Sequence, residues 1–293
     1  MKKKLSLVLA TLMLLGLLAG CGGQPAASGD KDTVVVYIGD IFNSMTPYMT
    51  TANSDQAVFD QVYETLTVTK DDGTVAPCLA KSWKMSDDCL EYTFQLEEGV
   101  KFHNGEVMTA DDVVYSFEQY LANPAKNNFV SMIDKVEMVD ANTVKVTLNK
   151  ITPLFLVYIN ELPILNKKFV EEHNGNISDV ACGTGPYKLT SIDLATSAML
   201  ERNDDYRLAP AAIEKVELRY VGDRSTASVQ LETGDLDIMS IDPSQLVSFE
   251  NNDKFTVEKV QTLKTALLAI NTTVAPLDNK LVRQAMTYAV DKK

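Results

Sequence analysis

Apolar and polar positions along the chain predict a mixture of strands and helices. Residues 33–38, "TVVVYI", are rich in β-branched side chains and predict a strand. After a polar loop, apolar side chains recur at helical spacing, which predicts a helix capped by Ser54 or Asp55. The apolar positions of that helix are Val58, Phe59, Val62, Tyr63 and Leu66.

Turn signals divide the middle of the chain into hairpins. "KDDGT" at 70–74 predicts a hairpin turn, and residues 81–96 predict two strands around a polar turn. A further hairpin is predicted to turn at 140–142. Between these hairpins, Thr109 precedes two acidic residues and predicts the N-cap of a helix. The apolar positions of this helix are Val113, Val114, Phe117 and Leu121.

The last third of the chain predicts a strand, a helix and a strand in succession. "RSTASVQLETG" predicts a helix with Gly234 as its C-cap, and it lies between the predicted strands "IEKVELRYV" and "LDIMSI". This order predicts a βαβ crossover and therefore a parallel or mixed sheet. Further strands are predicted at 187–192, 198–202, 255–260 and 266–271.

The final segment, "DNKLVRQAMTYAVDKK", predicts a helix whose periodic pattern continues without a stop signal. Two interpretations remain open at this point. The segment is either a frayed terminal helix or the beginning of a region that the chain does not complete, and we expect an incomplete chain.

The first residues have the features of an export signal. Three lysines precede an apolar run from Leu5 to Ala19, which is short for a membrane helix. The sequence "LAGC" that ends at Cys21 resembles the lipobox of bacterial lipoproteins. We therefore predict a signal peptide at 1–20, lipidation of Cys21 and a flexible tether at 21–32. The alternative is an ordinary signal peptide followed by a chance cysteine.

Composition and charge narrow the function classes. The chain is 45% hydrophobic with a net charge of −13, and removal of the lysine-bearing leader would make it more acidic. An acidic exported protein is a poor candidate for binding nucleic acid, whose phosphates require a basic surface. Beyond Cys21 the cysteines are Cys78, Cys89 and Cys182, and a bridge between the first two stays open.

No motif in the sequence predicts catalysis. The G-x-S-x-G, H-E-x-x-H and Walker A patterns are absent, and "GTGPY" at 183–187 is better explained by a tight turn than by a nucleotide loop. His103 and His173 lie far apart in polar segments, which favours structural roles over a metal site. Trp83 is predicted to pack on a sheet face. We predict a binding protein rather than an enzyme, with no cofactor and no metal.

Several spaced motifs then resemble a known family. They are "YETLTVTKDDGTVAPCLAKSW", "KFHNGEVMTADDVVYSFE", "GTGPYKL", "LETGDLDI", "LAINTT" and "VRQAMTYAVDKK". Their order resembles that of the family 5 solute-binding proteins of ABC importers, which bind dipeptides, oligopeptides or nickel. The resemblance covers essentially residues 33–293, although Cys78 and Cys89 stand where the family often has small or turn residues.

This resemblance implies an α/β fold like that of type II, cluster C-like periplasmic binding proteins, in which two lobes close on a ligand. Residues 33–62 and 183–270 would form an α/β subdomain with a mixed sheet in the first lobe. Residues 63–182 would form an inserted, hairpin-rich subdomain. Residues 271–293 would begin a second lobe that is mostly missing.

The resemblance also implies which residues touch the ligand. Contacts are expected in the loop after the first strand and in the loop after "LDIMSI". Backbone and hydroxyl groups there would bind a peptide main chain without reading its side chains. The alternative for each residue is ordinary loop polarity. The expected contact residues are Thr50, Thr51, Ala52, Asn53, Met239, Ser240 and Ile241.

The function implied by the resemblance is that of a monomeric substrate-binding lipoprotein of an ABC importer. It would be lipid-anchored outside the cytoplasm, in a periplasm or at the outer face of the cytoplasmic membrane, and would deliver small peptides to a permease. Nickel chelates or another solute stay open as ligands, since the lobe that selects the ligand would be the missing one. A secreted lipoprotein hydrolase with an unrecognised site is the competing function.

Overall fold

A computed structural model describes residues 32–260 and 267–291 of the chain. The predicted leader, Cys21 and nearly all of the predicted tether lie outside the described residues. The chain divides into two compact units, Met1–Ser240 and Ile241–Lys293. Across the described ranges, none of the helices has both the length and the apolar character that a membrane crossing needs.

Strands and helices alternate through the described part of the chain. The strands are β1 (Thr33–Ile38), β2 (Thr67–Thr69), β3 (Val75–Pro77), β4 (Ala80–Met85), β5 (Glu91–Leu96), β6 (Ile133–Asp140), β7 (Thr143–Leu148), β8 (Tyr187–Asp193), β9 (Ser197–Arg202) and β10 (Lys215–Tyr220). The helices are α1 (Asn53–Val62), α2 (Ala110–Ala122), α3 (Asn127–Val130), α4 (Phe155–Tyr158), α5 (Lys167–Glu172), α6 (Arg224–Thr233), α7 (Leu246–Glu250) and α8 (Lys280–Ala289). Short 3-10 turns occupy Pro124–Lys126 and Ile159–Glu161.

The first sheet joins two distant parts of the sequence. Its strand order is β1-β10-β9-β8, with β1 and β10 parallel and the other pairs antiparallel. β1 precedes a long intervening stretch of chain and the other three strands follow it. The mixed sheet predicted from the order of strand, helix and strand is therefore present, and the predicted α/β class is confirmed.

The predicted strand "LDIMSI" is wrong in its extent. Only Ile238 bridges to Val36, in the parallel direction. Asp237 supplies two bonds to Val35: its carboxylate accepts from the Val35 N–H, and its own N–H donates to the Val35 carbonyl. The Asp237 side chain thus accepts the Val35 N–H where a longer strand would offer a main-chain carbonyl. The chain leaves the sheet after the single bridge at Ile238.

The second sheet has the order β4-β5-β7-β6 and is antiparallel throughout. The predicted hairpins at 81–96 and around 140–142 build it, and the predicted turn at 70–74 joins β2 to β3. Alternate residues such as Phe94, Val144 and Val146 are fully buried on one face. Trp83 packs near Phe94, with ring centroids 6.4 Å apart, as expected for a side chain on a sheet face.

The ends of the helices follow local capping chemistry in most cases. α2 begins after Thr109, whose hydroxyl and N–H both bond the Asp112 carboxylate, and α6 ends at Gly234 with a left-handed φ of 82°. The predicted cap of α1 is wrong, because Ala52 is the N-cap. Ser54 and Asp55 lie inside the first turn, where tertiary contacts to residues 41–44 occupy their side chains.

α1 also ends earlier than its apolar pattern predicts. Its last residue is Val62, and Tyr63 takes an extended backbone conformation as the C-cap. Tyr63 and Leu66 are nevertheless buried, so both belong to the core without belonging to the helix. Hydrophobic spacing predicted burial correctly there and secondary structure wrongly.

The unit Ile241–Lys293 contains helices α7 and α8 in its described part. The strand predicted at 255–260 is wrong, and so is the described part, 267–271, of the strand predicted at 266–271. Phe255 instead packs its ring against Phe249 of α7, with centroids 5.2 Å apart, and no neighbouring strand in the described ranges pairs with this segment. The predicted terminal helix is confirmed as α8, capped by the Asn279 side chain.

The described cysteines are free thiols. Cys78 precedes β4, whereas Cys89 lies in the turn after it with a left-handed φ of 59°. A six-residue strand spans about 20 Å, and a disulfide tolerates less than about 7 Å between Cα atoms. The length of β4 therefore keeps the two thiols apart.

Candidate functional site

A surface concavity of about 860 Å³ lies where two loops of the first unit meet. Parts of residues 43–52 and 174–178 line it, together with Ala125. We call residues 39–52, which connect β1 to α1, the first loop, and residues 174–178, which follow α5, the second loop. The concavity therefore combines segments that are far apart in sequence.

Two hydrogen bonds join the first loop to the second. The Met45 N–H donates to the Ser178 carbonyl at 2.9 Å, and the Tyr48 hydroxyl donates to the Gly175 carbonyl at 3.1 Å. Burial raises the pKa of Tyr48, which keeps its hydroxyl protonated as a donor. The two loops are thus held at a fixed relative position on one side of the concavity.

A buried carboxylate shapes the first loop from inside. Asp55 is fully buried and its oxygens accept from the Asn43 N–H at 2.7 Å, the Ser44 N–H at 3.4 Å and the Thr50 hydroxyl at 2.7 Å. The Thr50 oxygen in turn accepts from the Ala52 N–H at 3.1 Å. Asp55 therefore organises the loop, and the Thr50 hydroxyl is already engaged in this network.

The predicted contact residues separate into groups in the structure. Thr50, Thr51 and Ala52 line the concavity, whereas the first residue of α1, Asn53, is not among its lining residues. In this group Thr51 exposes its side chain and Thr50 is buried.

The other predicted residues lie elsewhere. Met239 packs against the small apolar cluster around Val35 and Tyr37, and the Ser240 carbonyl accepts from Arg224 Nη1 at 3.2 Å. Neither residue lines the concavity. Ile241 is the first residue of the second unit.

The concavity also contains residues that the sequence analysis did not identify. The most informative are Asn43 in the first loop and Asn174, Asn176 and Ser178 in the second. The only local signal for the second loop is "HNGN", a polar turn sequence in which Asn174 adopts a left-handed φ of 53°. Local sequence does not reveal that this turn meets the first loop.

The wall of the concavity consists of neutral groups. Its lining residues are Asn, Ser, Thr, Met, Ala and Gly, with no ionisable side chain among them. Across residues 32–260 and 267–291 no group of three His, Cys, Asp or Glu side chains is arranged to hold a metal ion. The wall therefore offers a ligand hydrogen-bond donors and acceptors.

Family comparison finds relatives of this chain among bacterial solute-binding proteins. Residues 74–293 match the family described as bacterial extracellular solute-binding proteins, family 5 Middle. The chain is similar to "Heme-binding protein A" of Haemophilus influenzae, at 30% identity over all of this chain and 60% of that protein. It is also similar to the "Nickel-binding periplasmic protein" of Escherichia coli, at 31% identity over 85% of this chain and 50% of that protein.

Solved structures agree with this assignment. NikZ from Campylobacter jejuni in complex with Ni(L-His) superposes with a TM-score of 0.81 at 30% identity, covering 89% of this chain and 54% of NikZ. The periplasmic binding protein DppA from Helicobacter pylori, in complex with the peptide STSA, gives 0.79 at 28% identity, covering 88% and 56%. The chain spans between half and three fifths of these relatives. The family match and the fold together show that the chain belongs to the family 5 bacterial extracellular solute-binding proteins.

Proposed function

We propose that this protein is the substrate-binding component of an ABC importer and that it captures small peptides outside the cytoplasmic membrane. The observation that carries the proposal is the neutral, polar concavity formed by the first and second loops. Family membership supports a binding role over the hydrolase alternative.

A peptide fits the chemistry of this wall. Peptide main chain presents alternating N–H and C=O groups without net charge, and amide and hydroxyl side chains can both donate to and accept from them. Thr51 and Asn43 expose such groups at the concavity. The similarity to DppA in complex with the peptide STSA supports a peptide as the ligand. The similarity to NikZ in complex with Ni(L-His) supports a small metal chelate as the second candidate.

Met239, Ser240, Ile241 and Asn53 remain proposed contacts outside the concavity. In open α/β sheets, ligands bind beyond the carboxyl ends of parallel strands. The bridge between Val36 and Ile238 is parallel, so Met239 follows Ile238 at the same sheet edge at which the first loop begins. A ligand that extends from the concavity along this edge would reach Met239 and Ser240.

Calorimetry on the full-length protein tests the proposal. The probes are trialanine, glutathione and Ni(II)–histidine, each titrated separately, and the bound compound is recovered and identified by mass spectrometry. We expect saturable binding of trialanine and recovery of the intact peptide. Preferential binding of Ni(II)–histidine would identify a metal chelate, and not a peptide, as the ligand. Recovery of cleaved peptide in molar excess over protein would establish the hydrolase function.

A further inference from the structure

The wall of the concavity carries no formal charge of its own. Its polar side chains are amides and hydroxyls, and no Asp, Glu, Lys, Arg or His is among the lining residues. The Asp55 carboxylate beneath the first loop is fully buried, and it accepts from the Asn43 N–H, the Ser44 N–H and the Thr50 hydroxyl. A ligand resting here therefore meets dipoles and not ions.

Three of the polar side chains at the wall are open to a ligand. Those of Asn43, Thr51 and Asn174 are exposed and form no hydrogen bond to another residue of the described chain. Asn176 differs, because its Oδ1 accepts from the Ser178 hydroxyl at 2.9 Å. Asn43 and Asn174 thus place one carboxamide on each of the two joined loops.

The charge of the ligand follows from the cost of desolvation. Small-molecule pockets typically cover about 70–90% of a ligand, so a charged ligand group facing this wall would lose water without gaining an opposite charge from it. A neutral amide or hydroxyl group of the ligand has a smaller desolvation cost. A carboxamide of the wall can accept from the ligand N–H and donate to the ligand C=O in place of water. An uncharged polar group is therefore the favoured occupant.

We propose that the concavity is a subsite for an uncharged amide- or hydroxyl-bearing part of the ligand, and that the carboxamides of Asn43 and Asn174 select it. This inference rests on the proposed binding function and specifies the chemistry of one wall. For a peptide, the occupant is the main chain between the charged termini. The ionic groups of the ligand are held outside this concavity.

Paired charge substitutions test the proposal on the full-length protein. Asn43→Asp and Asn43→Lys add opposite charges at one exposed position, and Asn174→Gly removes a carboxamide while keeping a residue suited to the left-handed backbone. Dissociation constants are measured by calorimetry for trialanine and for Ni(II)–histidine, at about 150 mM salt to screen distant charges. Asn142→Asp and Asn142→Lys, at a half-buried position in the turn between β6 and β7, are the controls away from the concavity.

We expect Asn43→Asp and Asn43→Lys both to weaken binding, each by about three- to tenfold, and Asn174→Gly to weaken it by about tenfold. The Asn142 variants should leave the dissociation constant unchanged. Opposite responses to the two Asn43 charges would show an ionic ligand group and overturn the inference, as would unchanged affinity in all three site variants. If the wild-type protein binds neither probe, the proposed function itself fails, which is a separate outcome.

Discussion

His103 shows how one side chain holds a loop through both ring nitrogens. Its Nε2 lies 3.0 Å from the Gly185 carbonyl, and its Nδ1 lies 3.3 Å from the Gly183 N–H. This arrangement requires a neutral ring with the proton on Nε2, because a proton on Nδ1 would face the Gly183 N–H. Burial in turn lowers the pKa of His103 from 6.5 to about 4. The structural role predicted for this histidine follows from these contacts.

The lowered pKa predicts a loss of stability in acid. Between pH 6.5 and about 4 the unfolded chain binds a proton at His103 that the folded chain does not, so the free energy of unfolding falls as pH falls. The free energy of unfolding decreases by up to about 3 kcal/mol through this group, and His103 has no such effect above pH 6.5. Urea unfolding at a series of pH values measures it. His103→Asn should remove this part of the pH dependence, whereas His173→Asn should retain it. Equal pH profiles in wild type and His103→Asn would contradict the assignment.

At the scale of elements, "GTGPY" is a crossing point between the segment before β8 and the end of α1. A Cβ atom on Gly183 would lie 2.0 Å from the Val62 carbonyl oxygen, and one on Gly185 would lie 2.5 Å from that of Gln61. The Gly185 N–H donates to the Val62 carbonyl at 2.9 Å. The two glycines therefore permit close backbone contact, which is why α1 can end against this loop.

Gly183→Ala should lower the free energy of unfolding by about 3 kcal/mol or more, because backbone atoms must move apart to accept the methyl group. Thr184→Val is the matched variant in the same loop. The Thr184 hydroxyl is buried and has no hydrogen-bond partner in the described chain, so its loss should be neutral or stabilising. Chemical denaturation of both variants gives the comparison, and a Gly183→Ala protein as stable as wild type would refute the close-contact argument.

A partly buried ion pair links the segment after α1 to the segment after β9. The Glu64 carboxylate accepts from Arg207 Nη2 at 2.8 Å and from the Tyr206 hydroxyl at 3.0 Å, and 7% of its side chain is exposed. Burial, and then the charge of Glu64, raise the pKa of Tyr206. Burial likewise raises the pKa of the adjacent Cys78 to about 11, so Cys78 is a thiol at neutral pH.

Glu64→Gln should cost about 1–3 kcal/mol of unfolding free energy, because it removes the charge-assisted hydrogen bonds that the buried Glu64 carboxylate accepts from Arg207 and Tyr206. A double-mutant cycle with Arg207→Met isolates the pair. The exposed pair of Lys81 and Glu98 is the control, and its coupling should stay below about 1 kcal/mol. Equal coupling energies for the two pairs would show that burial does not strengthen the Glu64 interaction.

At the scale of the whole molecule, we predict that Cys21 anchors the protein to a membrane. The motivation is the short apolar run and the "LAGC" sequence that ends at this residue. One acyl chain holds weakly, whereas two give stable anchoring. Cys21→Ser should move the protein from the membrane fraction into the soluble extracytoplasmic extract and abolish labelling by radioactive fatty acid. Cys182→Ser is the control, and continued labelling of Cys21→Ser would contradict the prediction.

The sequence by itself determined the features that depend on neighbouring residues. Turn signals predicted both hairpins of the second sheet, Thr109 and Gly234 predicted two helix ends, and the order of strand and helix predicted a mixed sheet. Each of these features depends on interactions between residues close in sequence, or on which face of a helix or strand is buried. The motif order, read as a family resemblance, predicted the fold class and the family.

Only the tertiary structure decided where distant segments meet. Asp55 has the chemistry of a helix cap, yet it is buried beneath the first loop because residues 43–50 supply better donors. The segments "LDIMSI" and 255–260 have strand-like composition, but a strand forms only where a partner offers consecutive main-chain groups. The concavity was hidden for the same reason: Asn43 and Asn174 are separated by most of the first unit, and the bonds from Met45 and Tyr48 to the second loop bring them to one wall.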